Sequence, residues 1–287
     1  MADPDATAAL LGTEFVAAPK AAQPFKIVLV GQSGAGKSSC LWRLTHPDAP
    51  DLSDCAKVST IGVDFAVYPL RIQGVEYKFN VFDTTGQSRF TSIVRPYCLT
   101  EVHGFVGVID VAYWTRHISD SLKTQNAAED ETPEDMHRKL FQSTVVLALT
   151  LAFSNMPRAT EASFAHYKCF ADPANQVVLC LGNKMDLYER DEKLQAIQDK
   201  FTDALEQVVH AKNWRYANAS AERNINVISE MHSIMSRIVS IANAWDREHP
   251  RPERIERKPK KMVPDVENDD DIDYDREAAP TSYCKCM

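Results

Sequence analysis

The hydrophobic pattern divides the chain into short continuous apolar runs and longer periodic ones. Ile27 to Val30, Phe105 to Ile109 and Val177 to Leu181 carry no polar side chain. Runs of this length without a polar face read as strands covered on both sides. Val63 to Ile72 and Val75 to Phe82 are also strand-like, and Gln73-Gly74 between them suits a hairpin turn. Pro69 has no N–H to give to a ladder, so its strand belongs at a sheet edge. A sixth strand is expected around Trp214 to Ala217.

Helical spacing accounts for most of the rest. A helix is predicted from about Gly36 to Thr45, directly after the first strand. Leu194, Ile197, Phe201, Leu205 and Val208 keep a 3.6-residue period, as do Val227, Met231, Ile234, Ile238, Ile241 and Trp245. Met136 to Phe153 is nearly all apolar beyond Val145, which predicts a buried helix rather than a surface one. Alternating strands and helices predict a three-layer α/β domain, its six-stranded sheet mostly parallel with one antiparallel edge strand. Right-handed crossovers then bring the loops that follow the parallel strands to one sheet edge.

Three regions stand outside this pattern. Residues 1–24 are rich in alanine and read as a disordered extension, and the domain is expected over 25–245. Asp3, Asp5 and Glu14, with no basic or long apolar stretch, argue against a targeting signal there. Val111 to Gln176 spans 66 residues, whereas a whole strand-helix-strand unit takes only about 30. The surplus is assigned to an insertion around 115–160, beginning with the polar, acidic stretch Thr115 to Asp135. Residues 246–287 read as a disordered tail in which seven basic residues from Arg247 to Lys261 give way to eight acids from Asp265 to Glu277.

Composition narrows the function classes. A net charge of −8 leaves no general basic face for nucleic acid, and no apolar run is long enough to span a bilayer. The seven cysteines show no paired metal spacing, which suits reduced thiols in a cytosolic compartment.

The chemistry concentrates after the strands. Gly31-Gln-Ser-Gly-Ala-Gly36-Lys37-Ser38 follows the first strand and opens a helix, and it is a complete phosphate-binding loop. Its backbone N–H groups, from Ser33, Gly34, Ala35 and Gly36 through Lys37, Ser38 and Ser39, suit a nucleotide's phosphates at a helix N-terminus. Lys37 would reach the β- and γ-phosphates and Ser38 would place a hydroxyl on Mg²⁺. Asp83-x-x-Gly86 supplies a carboxylate for Mg²⁺ and a glycine N–H for the γ-phosphate, and Gln87 an amide able to orient water. Thr60, in Ser59-Thr-Ile-Gly-Val-Asp-Phe65, offers a hydroxyl that completes the Mg²⁺ shell only while γ-phosphate is present. Asn183-Lys184-Met185-Asp186 follows the fifth strand, where Asp186 can accept from the N–H/NH₂ edge of guanine, Asn183 can brace the loop and the stem of Lys184 can lie over the ring. Ser220-Ala221, after the sixth strand, can present a backbone N–H to the guanine oxygen.

In this order the motifs resemble the five nucleotide-binding motifs of the Ras-superfamily small GTPases, whose fold is that of the P-loop NTPases. Thr60-Ile-Gly-Val-Asp-Phe65 and Asp83-Thr-Thr-Gly-Gln-Ser-Arg-Phe90 are most similar to the Rab branch. The resemblance implies a slow GTPase that binds GTP or GDP with Mg²⁺, with Lys37, Thr60 and Gln87 as its catalytic residues. It also implies effector, exchange-factor and activating proteins as partners, and a role in membrane trafficking at the cytoplasmic face of an intracellular membrane. Cys284 and Cys286 at the chain end resemble a Rab double-prenylation site, although Met287 follows them. Thr85, Ser88, Phe82 and Glu222 depart from the residues usual at their places. Lys57 stands where G-protein α subunits carry a cis arginine, which implies dependence on an arginine supplied in trans, worth about 10³–10⁵ in rate. A GTP-binding adaptor with negligible hydrolysis and a P-loop ATPase are the competing readings.

Overall fold

A computed structural model describes residues 24–55, 60, 63–86, 92, 96, 100–124, 132–154, 156 and 159–250. The strands are β1 (Phe25–Val30), β2 (Val63–Ile72), β3 (Val75–Thr84), β4 (Gly104–Asp110), β5 (Val177–Asn183) and β6 (Arg215–Asn218). They form one sheet in the order β2-β3-β1-β4-β5-β6. Every neighbouring pair is parallel except β2 with β3. The expected α/β architecture, with a single antiparallel strand at the edge, is what forms.

Local chemistry explains the edge hairpin. Gln73 and Gly74 both take positive φ, 49° and 81°, as a tight two-residue turn between twisted strands requires. Pro69 on β2 sits opposite Lys78, and among the described residues the other side of β2 has no strand partner, so the missing N–H disrupts no second ladder there. β4 and β5, by contrast, are buried along nearly their whole length, in keeping with their continuous apolar sequence.

Helices cover both faces. α1 (Lys37–Thr45) and α5 (Val227–Glu248) pack on one face over Ile27, Leu29, Phe79, Val106 and Leu179. On the other lie α2 (Val111–Thr124), α3 (Pro133–Ala152) and α4 (Glu192–Ala211), joined through Trp114, Ile118, Val145, Leu149, Phe201 and Leu205. Their starts are capped by side chains: Asp110 accepts from the Tyr113 N–H, Thr132 from Asp135 and Asp191 from Lys193 and Leu194.

One expectation between β4 and β5 changes. The polar stretch from Thr115, assigned to the insertion, is helix as far as Thr124, with Thr115 and Ile118 buried beside Trp114. Its polar residues form the outer face of an amphipathic helix. The helix expected to be buried, α3, buries only one face (Leu140, Val145, Leu149), while Val146, Leu147 and Leu151 are exposed. Continuous apolar sequence there covers both an inner and an outer face. Three short 3₁₀ turns between Glu161 and Asn175 then lead back to the sheet. They fold Phe164, Tyr167 and Phe170 around the buried ring of His103.

Candidate functional site

The loops after β1, β3, β5 and β6 meet at the carboxyl edge of the sheet, because those strands run parallel. The loop from Gly31 to Gly36 needs its glycines for conformation and for space. Gly36 has φ +97°, and a Cβ there would lie 2.3 Å from Nδ2 of Asn183. A Cβ on Gly86 would lie 2.3 Å from the backbone N of Ser33, so the segment after β3 is pressed against the phosphate-type loop. Ser33 and Gly34 are exposed at the loop's crest, Ala35 and Lys37 are buried, and Ser38 and Ser39 lie at intermediate depth.

Lys37 donates from Nζ to the carbonyls of Gly31 and Gln32, both at 2.9 Å. Burial lowers its pKa, and the nearby Asp83 carboxylate opposes that shift. Asp83, the penultimate residue of β3, faces two hydroxyls. Its Oδ2 accepts from Ser38 Oγ at 2.5 Å and from Thr60 Oγ1 at 3.0 Å, and the two hydroxyl oxygens are 2.9 Å apart. Burial raises the Asp83 pKa, while the two hydroxyl hydrogen bonds and Lys37 pull it down.

The other oxygen, Asp83 Oδ1, is buried without a hydrogen-bond partner. A buried carboxylate oxygen left unpaired is costly, and the same carboxylate holds, through Oδ2, two hydroxyls suited to a hard cation. No group of three or more His, Cys, Asp or Glu able to hold a metal occurs among the described residues. The donor set of one carboxylate and two hydroxyls, all hard oxygens, fits Mg²⁺, which takes few protein ligands and fills its shell with water and phosphate.

The residues read for base recognition form a second, interlocked group. Asn183 donates from Nδ2 to the Ala35 carbonyl at 2.9 Å and accepts at Oδ1 from the Ala221 N–H at 3.0 Å. The Ala221 N–H expected to meet a base oxygen is thus engaged by Asn183. Asp186 Oδ1 accepts from Ser220 Oγ at 2.6 Å. Lys184, in the left-handed region at φ 68°, is ion-paired through Nζ to Asp110 Oδ2 at 2.6 Å.

Sequence reasoning missed two contributors here. Asp110 ends β4, caps α2 and holds Lys184; a lone carboxylate closing an apolar strand was its only signal. Arg43 is fully buried and contacts the loop after β6; a cation three residues after Cys40, on the apolar face of α1, was the available clue. Gln87, Lys57, Ser88, Cys284 and Cys286 lie outside the described residues, as do residues 1–23 and 251–287.

A mostly parallel sheet with a phosphate-type loop between its first strand and helix defines a P-loop nucleotide-binding protein. The sequence model of the Ras family matches residues 26–138. Over 219 residues, 76% of each chain, the sequence is 27% identical to Ras-related protein RABA1h of Arabidopsis thaliana. Over 87 residues, 30% of this chain and 41% of the relative, it is 40% identical to Ras-related protein Rab-1A of Dictyostelium discoideum. These matches support a Ras-superfamily GTPase similar to the Rab proteins.

Proposed function

We propose that the protein is a Rab-type switch that binds GTP or GDP, hydrolyses GTP slowly and, when GTP-bound, recruits effectors to a membrane in trafficking. The observation that carries this reading is the link through Asn183, which ties Ala35 in the phosphate-type loop to Ala221 in the loop suited to a base. One nucleotide lying across both loops would use the whole arrangement.

In this reading the N–H groups from Ser33 to Ser39 and that of Gly86 hold the phosphates, and the Lys37 ammonium exchanges the Gly31 and Gln32 carbonyls for phosphate oxygens. Ser38, Asp83 and Thr60 would hold Mg²⁺, which neutralises phosphate charge when bound. Gln87 orients the attacking water. Asp186 accepts from the guanine edge, Ser220 fixes that carboxylate, and Lys184 covers the ring. Thr60 and Gly86 engage only while the γ-phosphate is present, so hydrolysis releases their segments. Activating proteins supply an arginine, exchange factors reload the site, and lipids on Cys284 and Cys286 anchor the chain.

The test begins with the nucleotide retained by the purified full chain, expected to be GDP or GTP, and with competition between GTP and ATP. Single-turnover hydrolysis is then compared with Gln87→Leu. A slower variant supports the switch; equal rates favour a GTP-binding adaptor, and preference for ATP overturns guanine recognition.

A further inference from the structure

An apolar groove of about 840 Å³ lies between α3 and α4, with Leu122 near the end of α2 also lining it. Phe141, Val145 and Val146 supply its walls from α3, and Ile197, Ala204 and Val208 from α4. On α3 the lining positions Arg138, Phe141, Gln142, Val145 and Val146 follow the i, i+3, i+4, i+7, i+8 spacing of one helical stripe. The stripe begins in the core at Val145, which is fully buried, and turns outward at Val146, which is 58% exposed. Phe141, Ile197 and Val208 are half-buried.

The ionisable side chains among the described lining residues are His137, Arg138 and Lys200. All three are basic types, in a chain whose net charge is −8. Asp199, Asp203 and Glu206, although on α4, do not line the groove. Lys200 is exposed and makes no ion pair or hydrogen bond among the described residues. Arg138 pairs with Asp135, and both side chains are exposed, so that pair offers little resistance to a better one. A small ligand is normally enclosed over most of its surface, whereas these walls are open to water. An amphipathic helix instead buries one stripe and keeps its opposite face wet. The lining residues extend over about 12 Å of α3 and about 18 Å of α4, the length of roughly two to three helical turns.

We propose that this groove docks an acidic amphipathic helix of a partner protein. The partner's apolar residues, at i, i+3 or i+4 and i+7, enter between Phe141 and Val146 on one side and Ile197 and Val208 on the other. Its Asp and Glu residues flank that stripe and meet Arg138 and Lys200. None of the described lining residues belongs to the loops after β1, β3, β5 or β6, so the surface is separate from the candidate nucleotide site. Docking here requires neither a nucleotide nor its hydrolysis.

The probe is a fluorescently labelled helical peptide of about 15 residues, with leucines along one stripe and glutamates on both flanks. One control peptide has lysine for every glutamate, and another carries a central proline. Anisotropy titration with the full chain should show saturable binding of the leucine–glutamate helix, at least about tenfold tighter than of either control. That order runs against the net charge of −8, which by itself favours the lysine peptide. Val146→Glu puts a like charge on the apolar wall and should weaken the leucine–glutamate helix by about tenfold or more. Lys200→Glu should weaken it by about threefold or more and strengthen the lysine peptide by a similar factor. Both side chains are exposed, so melting temperatures should stay near wild type, and either variant alone carries the test. Absence of saturable binding, equal binding of the two charged helices, or variants that bind like wild type overturns the proposal. So does a wild type that sediments as a dimer dissociated by Val146→Glu, since a second copy then covers the groove. Palmitate binding that Val146→Glu abolishes, with no peptide binding, overturns it in favour of a lipid.

Discussion

The amide of Asn183 occupies the space that a side chain at Gly36 would need: a Cβ there would lie 2.3 Å from Nδ2. That amide donates to the Ala35 carbonyl, so the absence of a side chain at one position permits the bond that joins the two halves of the site.

Gly36→Ala should consequently carry two separable costs. The φ of +97° alone strains any L side chain, by about 1–2 kcal/mol. Displacing Asn183 adds a second cost, which disappears when Asn183 is itself alanine. A double-mutant cycle by urea unfolding should show a coupling of at least about 0.5 kcal/mol. Strict additivity would mean that the amide moves aside freely.

The pair formed by Lys184 and Asp110 separates a local role from a distant one. Asp110 caps α2 through the Tyr113 N–H and holds Lys184 Nζ with its other oxygen. Asparagine caps nearly as well as aspartate, whereas alanine costs about 1 kcal/mol at such a position. Asp110→Asn should leave the melting temperature close to wild type and Asp110→Ala should lower it, while both release Lys184 and weaken nucleotide retention. Retention unaltered in the asparagine variant would show that Lys184 needs no partner.

Much of this was legible along the chain, and the remainder has a common cause. Gln73-Gly74 and Pro69 place the edge hairpin because turn and ladder chemistry are local. The loop at Gly31 to Gly36 is legible because its spacing is itself the mechanism. The helical stretch Thr115–Thr124 was obscured by its polar outer face, and the exposed Val146, Leu147 and Leu151 by apolar composition that burial usually explains. β6 begins at Arg215, since Trp214 before it packs against Phe153 instead of joining the ladder. Arg43 and Asp110 owe their roles to contacts with Ala221 and Lys184, 178 and 74 residues away, which no window of sequence contains.

His103 gives the fold an acid sensitivity of known sign. Its Nδ1 accepts the Lys26 N–H at 2.9 Å, and Phe25, Phe164, Tyr167 and Phe170 enclose the ring. Burial, reinforced by the charge of Lys26, pushes its pKa from 6.5 down to about 3. A histidine held neutral in the folded state contributes stability that is complete above 6.5 and lost as pH falls from there towards about 3. Denaturant unfolding should show a loss approaching about 1.4 kcal/mol per pH unit within that window. His103→Asn retains an acceptor for Lys26 and removes the titration, so its profile should be flatter by this amount. Equal slopes in the two proteins would exclude His103 as the source.

Asp83 yields the prediction in which two measurements move in opposite directions. Its Oδ1 is buried without a partner while Oδ2 serves both Ser38 and Thr60. In Asp83→Asn the amide oxygen can still accept from both hydroxyls, and the buried charge is gone. Stability without nucleotide or metal should therefore be maintained or rise, by about 1–3 kcal/mol. The same change removes the carboxylate proposed for Mg²⁺, so nucleotide release should lose most of its response to a chelator. Titrating Mg²⁺ while following release of a fluorescent GDP, alongside unfolding of the nucleotide-free protein, reads both effects. If the variant is less stable and still responds fully to chelation, Asp83 is a structural carboxylate and the cation belongs elsewhere.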